Sequence, residues 1–319
     1  MSRTRLIAAD LDGTMLRHDK SISPRTIRAI RAAQQQGVRV VAATGRQATS
    51  LPDLLAPTGV RYAVASNGAI GVDLNSGSLL FEELLSAEVA AEIVAYLTAE
   101  LTNPCFSVVR DHGDSNLAGP GYLELAGSDA AAPWQLTFKL TDATDLVSRP
   151  TLKLRVRHPR VGPEEMLSVL ASSSLTGFVA TTSGAQFLEI QGAGVTKASG
   201  LAKLCAHLGV ERDEVMAIGD ARNDIDMITW AGLGVAMGNA VPDAIAAARW
   251  STAGNDQDGL ALAIERRLGL AIERRLGLAI ESGLGLAIES RLGLDPLQTE
   301  PGRARRVAHG QVRNGHDAL

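Results

Sequence analysis

Asp10-Leu11-Asp12-Gly13-Thr14 follows directly on the apolar run Leu6-Ile7-Ala8-Ala9, so two carboxylates stand two residues apart where a buried strand ends in a glycine turn. Side chains alternate along an extended chain, which lets Asp10 and Asp12 point one way while Leu11 packs. Carboxylates so close repel unless a cation or a shared proton relieves them. A divalent metal, with one carboxylate as nucleophile and the other as acid/base, is the chemical reading. The alternative is a plain turn, for which Asp and Gly are well suited.

Further along, the same logic repeats. Ser23-Pro24 opens a segment in which Ile27, Ile30 and Ala33 recur at helical spacing, with Ser23 as N-cap and Gly37 as stop. Residues 38–43 read as a short buried strand ending in Thr44-Gly45-Arg46, and residues 62–65 as another ending in Ser66-Asn67-Gly68. Strands alternating with helices, each strand closing on polar residues, predict an α/β fold with a Rossmann-like parallel sheet core. Sites in such a sheet lie beyond the carboxyl ends of the strands.

The alternation lapses over residues 81–189. There a helix (87–101) mixes with strands (152–156, 187–190), interrupted by a glycine- and alanine-rich loop over about residues 111–133. It resumes with a helix at 197–208, a strand at 215–218, a helix at 223–231, a strand at 234–237 and a helix from Pro242. Residues 1–80 and 191–270 are therefore expected to make one core in two parts, residues 81–190 an inserted α+β domain, and residues 271–319 a tail. Four octapeptides of the form Ala-Ile-Glu-x-x-Leu-Gly-Leu begin at Ala263, Ala271, Ala279 and Ala287. Apolar residues every four positions drift round a helix by roughly 40° per step, and each glycine costs roughly 1 kcal/mol against alanine. The first copy reads as the terminal core helix and the others as a tandem expansion, with a disordered Pro-, Gly- and Arg-rich stretch expected from Asp295.

At 319 residues and 45% hydrophobic, the chain has apolar matter for a sizeable core. A net charge of −4 offers no basic field for nucleic acid or an anionic membrane. Asp10 and Asp12 break the N-terminal apolar stretch too early for a signal peptide or a membrane span, so a cytoplasmic protein is expected. Cys105 and Cys205 support neither a disulfide framework nor a zinc cluster and are expected to be buried thiols. The six histidines show no ligand spacing.

Three more segments bear on the first motif. Thr44, followed by Gly45, offers a hydroxyl and closely spaced N–H groups to a phosphate oxygen, or else caps a helix. Lys197 follows Gly192-Ala193-Gly194 and opens a helix, where its ammonium can neutralise a phosphate beside Asp10 or simply be solvated. Gly219-Asp220-Ala221-Arg222-Asn223-Asp224 again puts carboxylates at a strand-to-helix turn: Asp220 as ligand of a hard cation, Asn223 as donor to a substrate oxygen, Asp224 as support of the metal. Mg2+ suits this set because it takes oxygen ligands and works with one or two carboxylates plus a phosphate. A helix cap rich in Asp and Asn is the plain alternative, but it leaves the matching acidic turn on the first strand unexplained.

In this order the motifs resemble the haloacid dehalogenase superfamily, specifically its Cof-type phosphatases with a large C2-type cap. The likeness spans about residues 6–268 and is supported by Ser66-Asn67-Gly68-Ala69, Leu188-Glu189-Ile190 and Ala236-Met237-Gly238-Asn239-Ala240. It implies that Asp10 attacks phosphorus to form an aspartyl phosphate, and that Asp12 protonates the leaving alcohol and then activates water. It further implies that Thr44, Gly45, Lys197 and Asn223 bind the transferring group. Mg2+ would lie on Asp10, Asp220 and the Asp12 backbone carbonyl, with Asp224 in support. Arg46 and Asn67, at loop ends facing the cap, become candidate substrate contacts, or else loop stabilisers. The expected activity is Mg2+-dependent hydrolysis of a small phosphorylated metabolite, a sugar phosphate or a phosphorylated cofactor. Rivals are a phosphomutase or phosphotransferase on the same scaffold, a receiver domain, and a non-catalytic protein making protein contacts through the repeats.

Overall fold

A computed structural model of the protein describes residues 3–126 and 138–269. β1 (Leu6–Ala9) is buried along its whole length, as an unbroken apolar run must be when both faces of a sheet are covered. Ser23 caps α1 (Pro24–Gln35) by accepting the Thr26 N–H at 3.0 Å, and Pro24 stands where a missing N–H costs nothing. β2 (Arg39–Ala43), α2 (Leu51–Leu55) and β3 (Tyr62–Ala65) follow, then a hairpin of β4 (Ile70–Asp73) and β5 (Ser78–Glu82).

The chain next builds α3 (Ala87–Glu100), β6 (Cys105–Arg110), β7 (Ser115–Ala118), α4 (Tyr122–Ala126), β8 (Phe138–Leu140) and α5 (Ala143–Leu146). It continues through β9 (Lys153–Arg157), α6 (Pro163–Ala171), β10 (Phe178–Thr181) and β11 (Leu188–Gly192). The run α7 (Lys197–Leu208), β12 (Val215–Gly219), α8 (Ile225–Trp230), β13 (Leu233–Ala236), α9 (Pro242–Ala247), β14 (Trp250–Ser251) and α10 (Gly259–Leu268) then closes the described residues.

Eight of these strands make one sheet in the order β14-β13-β12-β1-β2-β3-β4-β5, parallel from β14 to β3 and antiparallel beyond. β1 lies at its centre with Ala9 level with Ala42 and Ile218, so Asp10, Thr44 and Asp220 emerge past three neighbouring strand ends. Alternation divides the core. Ile7 and Ala9 join Ile30, Ile218 and Ile264 on one face, while Leu6 and Ala8 join Val64, Leu201 and Leu204 on the other.

The other six strands form a second, mostly antiparallel sheet, β10-β11-β9-β6-β7-β8. Its apolar face, Val108, Leu154, Val156, Leu188 and Ile190, packs with Ile93 and Leu97 of α3 and Met166 and Leu170 of α6. The alternate residues Ser107, Lys153, Arg155, Arg157, Glu189 and Gln191 are polar yet buried.

Three details depart from expectation. The loop expected from residue 111 contains β7 and α4, because Ser115-Asn116-Leu117-Ala118 pairs with β6 despite its weak strand composition. The helix expected from residue 223 starts as a 3-10 turn, Arg222–Asp224, before α8. Cys105 is partly exposed, whereas Cys205 is buried, and both are free thiols. The first octapeptide copy does enter the core through Ile264 on α10, which ends at Gly269 in the left-handed region at φ 72°. The repeats from Ala271, and with them the expected tail contacts, lie outside the described residues. No helix among the described residues is long and apolar enough to cross a membrane.

Candidate active site

Asp10 leaves β1 with its N–H donated to the Ile218 carbonyl at 3.0 Å, which fixes its backbone between β1 and β12. Its Oδ1 accepts the Lys197 ammonium at 2.6 Å, and the same ammonium donates to Asp224 Oδ1 at 2.6 Å. Lys197 is 1% exposed and Asp224 0%, so the lysine is a buried counter-ion and not solvated surface. Both oxygens of Asp224 are occupied, since Oδ2 accepts the N–H groups of Asp220 and Ala221 at 2.9 Å each. Asp224 thereby shapes the turn that presents Asp220.

Asp10, Asp220 and Asp224 can each offer an oxygen within 4.8 Å of the others. Gly13 makes room for this: its φ of +85° suits glycine, and a Cβ there would run into the Asp220 carboxylate. Thr14 donates its hydroxyl to Asp220 Oδ1 at 3.0 Å, and Asn239 Nδ2 donates to the Gly13 carbonyl at 2.9 Å. The charges are unbalanced. Burial raises the Asp10 carboxyl well above the usual carboxylate range; Lys197 opposes this, and the charges of Asp224 and Asp220 add to it. Burial and the Asp224 charge push Asp220 up to about 7. Burial alone would lower Lys197, but Asp10 and Asp224 overcome it and raise the ammonium strongly. Three crowded carboxylates against one ammonium make a donor set that fits a hard divalent cation.

Asp12 stands apart from that trio. Arg46 grips it in a fork, Nε to Oδ2 at 2.6 Å and Nη2 to Oδ1 at 2.7 Å, and Lys20 adds a bond to Oδ1 at 2.9 Å. Burial pushes Asp12 up, but these bonds prevail and hold it at about 2. Thr44 is buried and accepts the Arg46 N–H on Oγ1 at 3.1 Å, so it caps its own turn and no helix. The Gly45 carbonyl accepts Lys153 Nζ at 2.7 Å, and Asn223 Nδ2 donates to Asn67 Oδ1 at 3.0 Å.

Asp10, Asp12, Thr44, Gly45, Arg46 and Asn223 all line one cavity of about 600 Å3, roofed by the polar face of the second sheet. Sequence reading missed that roof. Lys153, Arg155 and Arg157 alternate with apolar residues on β9, a period of two that was open to view in Lys-Leu-Arg-Val-Arg. Lys20, close after the first motif but part of none, carried no such signal.

The sequence matches the family described as haloacid dehalogenase-like hydrolase over residues 7–264. It is 31% identical over 265 residues to the 5-amino-6-(5-phospho-D-ribitylamino)uracil phosphatase YcsE of Bacillus subtilis (strain 168), covering 82% of this chain and 94% of that protein. The HMP-PP phosphatase of Cronobacter sakazakii is 30% identical over 246 residues, with 76% and 87% covered. BT1666 from Bacteroides thetaiotaomicron, a phosphatase of the haloalkanoate (HAD) enzyme superfamily, has a solved structure with a TM-score of 0.71 at 26% identity, covering 83% of this chain and 95% of that one. The chain belongs to the haloacid dehalogenase-like hydrolases. Within that class it is an enzyme of the phosphatase type.

Proposed function

We propose that the protein is a Mg2+-dependent phosphoric monoester hydrolase acting on a small phosphorylated metabolite through an aspartyl-phosphate intermediate on Asp10. The observation that carries this reading is Lys197 seated between Asp10 and Asp224 at 2.6 Å from each, beside Asp220. Asp10 attacks phosphorus as the bond to the leaving oxygen breaks, and Asp12 gives that oxygen a proton. Asp12 then takes a proton from water, whose oxygen displaces Asp10 from phosphorus and releases inorganic phosphate. To serve as the acid Asp12 must loosen from Arg46 and Lys20, which happens when the incoming phosphate competes for their donors.

Thr44, the Gly45 turn, Lys197 and Asn223 bind the phosphoryl oxygens, and Arg46 and Asn67 position the loops around them. Asp10, Asp220 and the Asp12 backbone carbonyl would hold the ion, with Asp224 supporting the turn. When bound, Mg2+ supplies charge neutralisation for the phosphoryl group. The segment between Glu82 and Gly192 acts as a cap that excludes water and chooses the leaving group. Free thiols at Cys105 and Cys205 support a reducing, cytoplasmic setting.

Screening phosphorylated metabolites with Mg2+, beside Asp10→Asn, tests the reading. Wild type should release inorganic phosphate from at least one ester without an alcohol acceptor, which separates hydrolysis from group transfer. The variant should lose roughly 10³-fold or more in kcat. Equal turnover by Asp10→Asn would remove the nucleophile.

A further inference from the structure

Among the described residues, the roof of the cavity holds more positive charge than its carboxylates can balance. Each lining carboxylate already has a cation: Lys197 for Asp10, Arg46 and Lys20 for Asp12, Lys153 for Glu189. Arg155 has none. It is buried at 6% exposure, its Nη2 donates only to the neutral Asn116 Oδ1 at 3.1 Å, and its Nε has no partner. The Phe138 ring centroid lies 5.1 Å from its Cζ and the Tyr122 centroid 6.0 Å, which dresses the guanidinium with aromatic surface without neutralising it.

Glu189 stands level with Arg155 across the β11–β9 ladder, yet it turns to Lys153 and to the Ser183 hydroxyl at 2.8 Å. The surplus is felt nearby. Burial, with Arg155 and Lys197 in the same sense, holds Lys153 below the usual lysine range in spite of Glu189. A buried guanidinium cannot shed its proton to escape this cost, so an anion entering the cavity gains what the protein has left unmet.

We propose that Arg155 binds a second anionic group, carried by the alcohol that the phosphoryl group leaves, so that preferred substrates are esters whose alcohol bears a carboxylate or a further phosphate. This rests on the phosphatase reading above and adds its substrate class. The cavity, within the usual range for small-molecule sites, holds both ends of such an ester: Asp10 lies at its floor and Arg155 in its roof.

Three ring esters that differ only at the para position test this: phenyl phosphate, 4-carboxyphenyl phosphate and 1,4-phenylene bisphosphate, each assayed with Mg2+. Wild type should favour the two charged esters by about ten-fold or more in kcat/KM, chiefly through KM. The larger of the two preferences tells carboxylate from phosphate. In Arg155→Gln the preference should fall to within about two-fold, and Arg155→Lys should restore part of it. Equal kcat/KM for all three esters in wild type would overturn the subsite without recourse to a variant. No turnover of any of them would overturn the phosphatase reading, and the subsite with it.

Discussion

Glu189 holds the roof of the cavity to its floor. It is buried on β11 against Lys153, and the same lysine reaches the Gly45 carbonyl at 2.7 Å, so one ion pair ties the second sheet to the turn after β2. Burial pushes the Glu189 carboxyl up, but Lys153, then Ser183 and Asn67, bring it below its ordinary 4.5. A lowered carboxylate contributes stability that is whole above the unfolded value and lost as pH falls through the folded one. Glu189→Gln leaves a buried ammonium without its partner, which should cost roughly 3 kcal/mol at neutral pH. The gap between wild type and variant should close below about pH 4.5, since wild type then loses the same interaction. Thermal melts of both proteins at pH 7 and pH 3 check this, and a gap that stays constant contradicts it. Asp10, Asp12 and Asp220 were legible as residues because each sits in a local acidic turn. Arg155 was not, because its significance lies in which carboxylate it lacks, and pairing across strands is invisible along the chain.

Helix α7 shows how an element places a residue. Thr196 accepts the Ser199 N–H at 3.2 Å while Ser199 Oγ accepts the Thr196 N–H at 3.0 Å, a reciprocal cap that sets the first turn where Lys197 begins. Gly68 lets the loop after β3 press against this turn, since at φ +104° a Cβ would strike the Thr196 carbonyl. Thr196→Val removes the side-chain acceptor at small change in volume. It should cost about 1 kcal/mol, a few degrees in Tm, yet lower kcat/KM by roughly ten-fold or more because Lys197 loses its angle of entry. Unaltered kinetics beside a lowered Tm would mean that Asp10 and Asp224 alone hold the lysine. Elements with strong ends, such as α1 with Ser23, were readable in sequence. β7 was not: its Ser115 and Asn116 satisfy no strand pattern by themselves, and its partner β6 supplies the ladder.

Across the whole molecule, the acidic trio joins two ends of the first sheet's history, Asp10 from β1 and Asp220 and Asp224 from beyond β12. The fold brings them together against their own repulsion, with Lys197 as the only ammonium bonded to the trio among the described residues. A cation held there repays that repulsion, so ion binding and folding are linked by mass action. With Mg2+ at a hundred times its dissociation constant, wild type should gain about 2.7 kcal/mol over the protein in EDTA. Asp220→Asn removes one negative charge from the cluster, so its melting should no longer respond to Mg2+. In EDTA it should be at least as stable as wild type, because the crowding is relieved without an ion. Melts of both proteins with Mg2+ and with EDTA separate these effects from catalysis. A wild type indifferent to Mg2+ would mean that the ammonium of Lys197 balances the trio unaided, and a variant that is much weaker in EDTA would mean that Asp220 serves the turn through Thr14 more than it serves a cation.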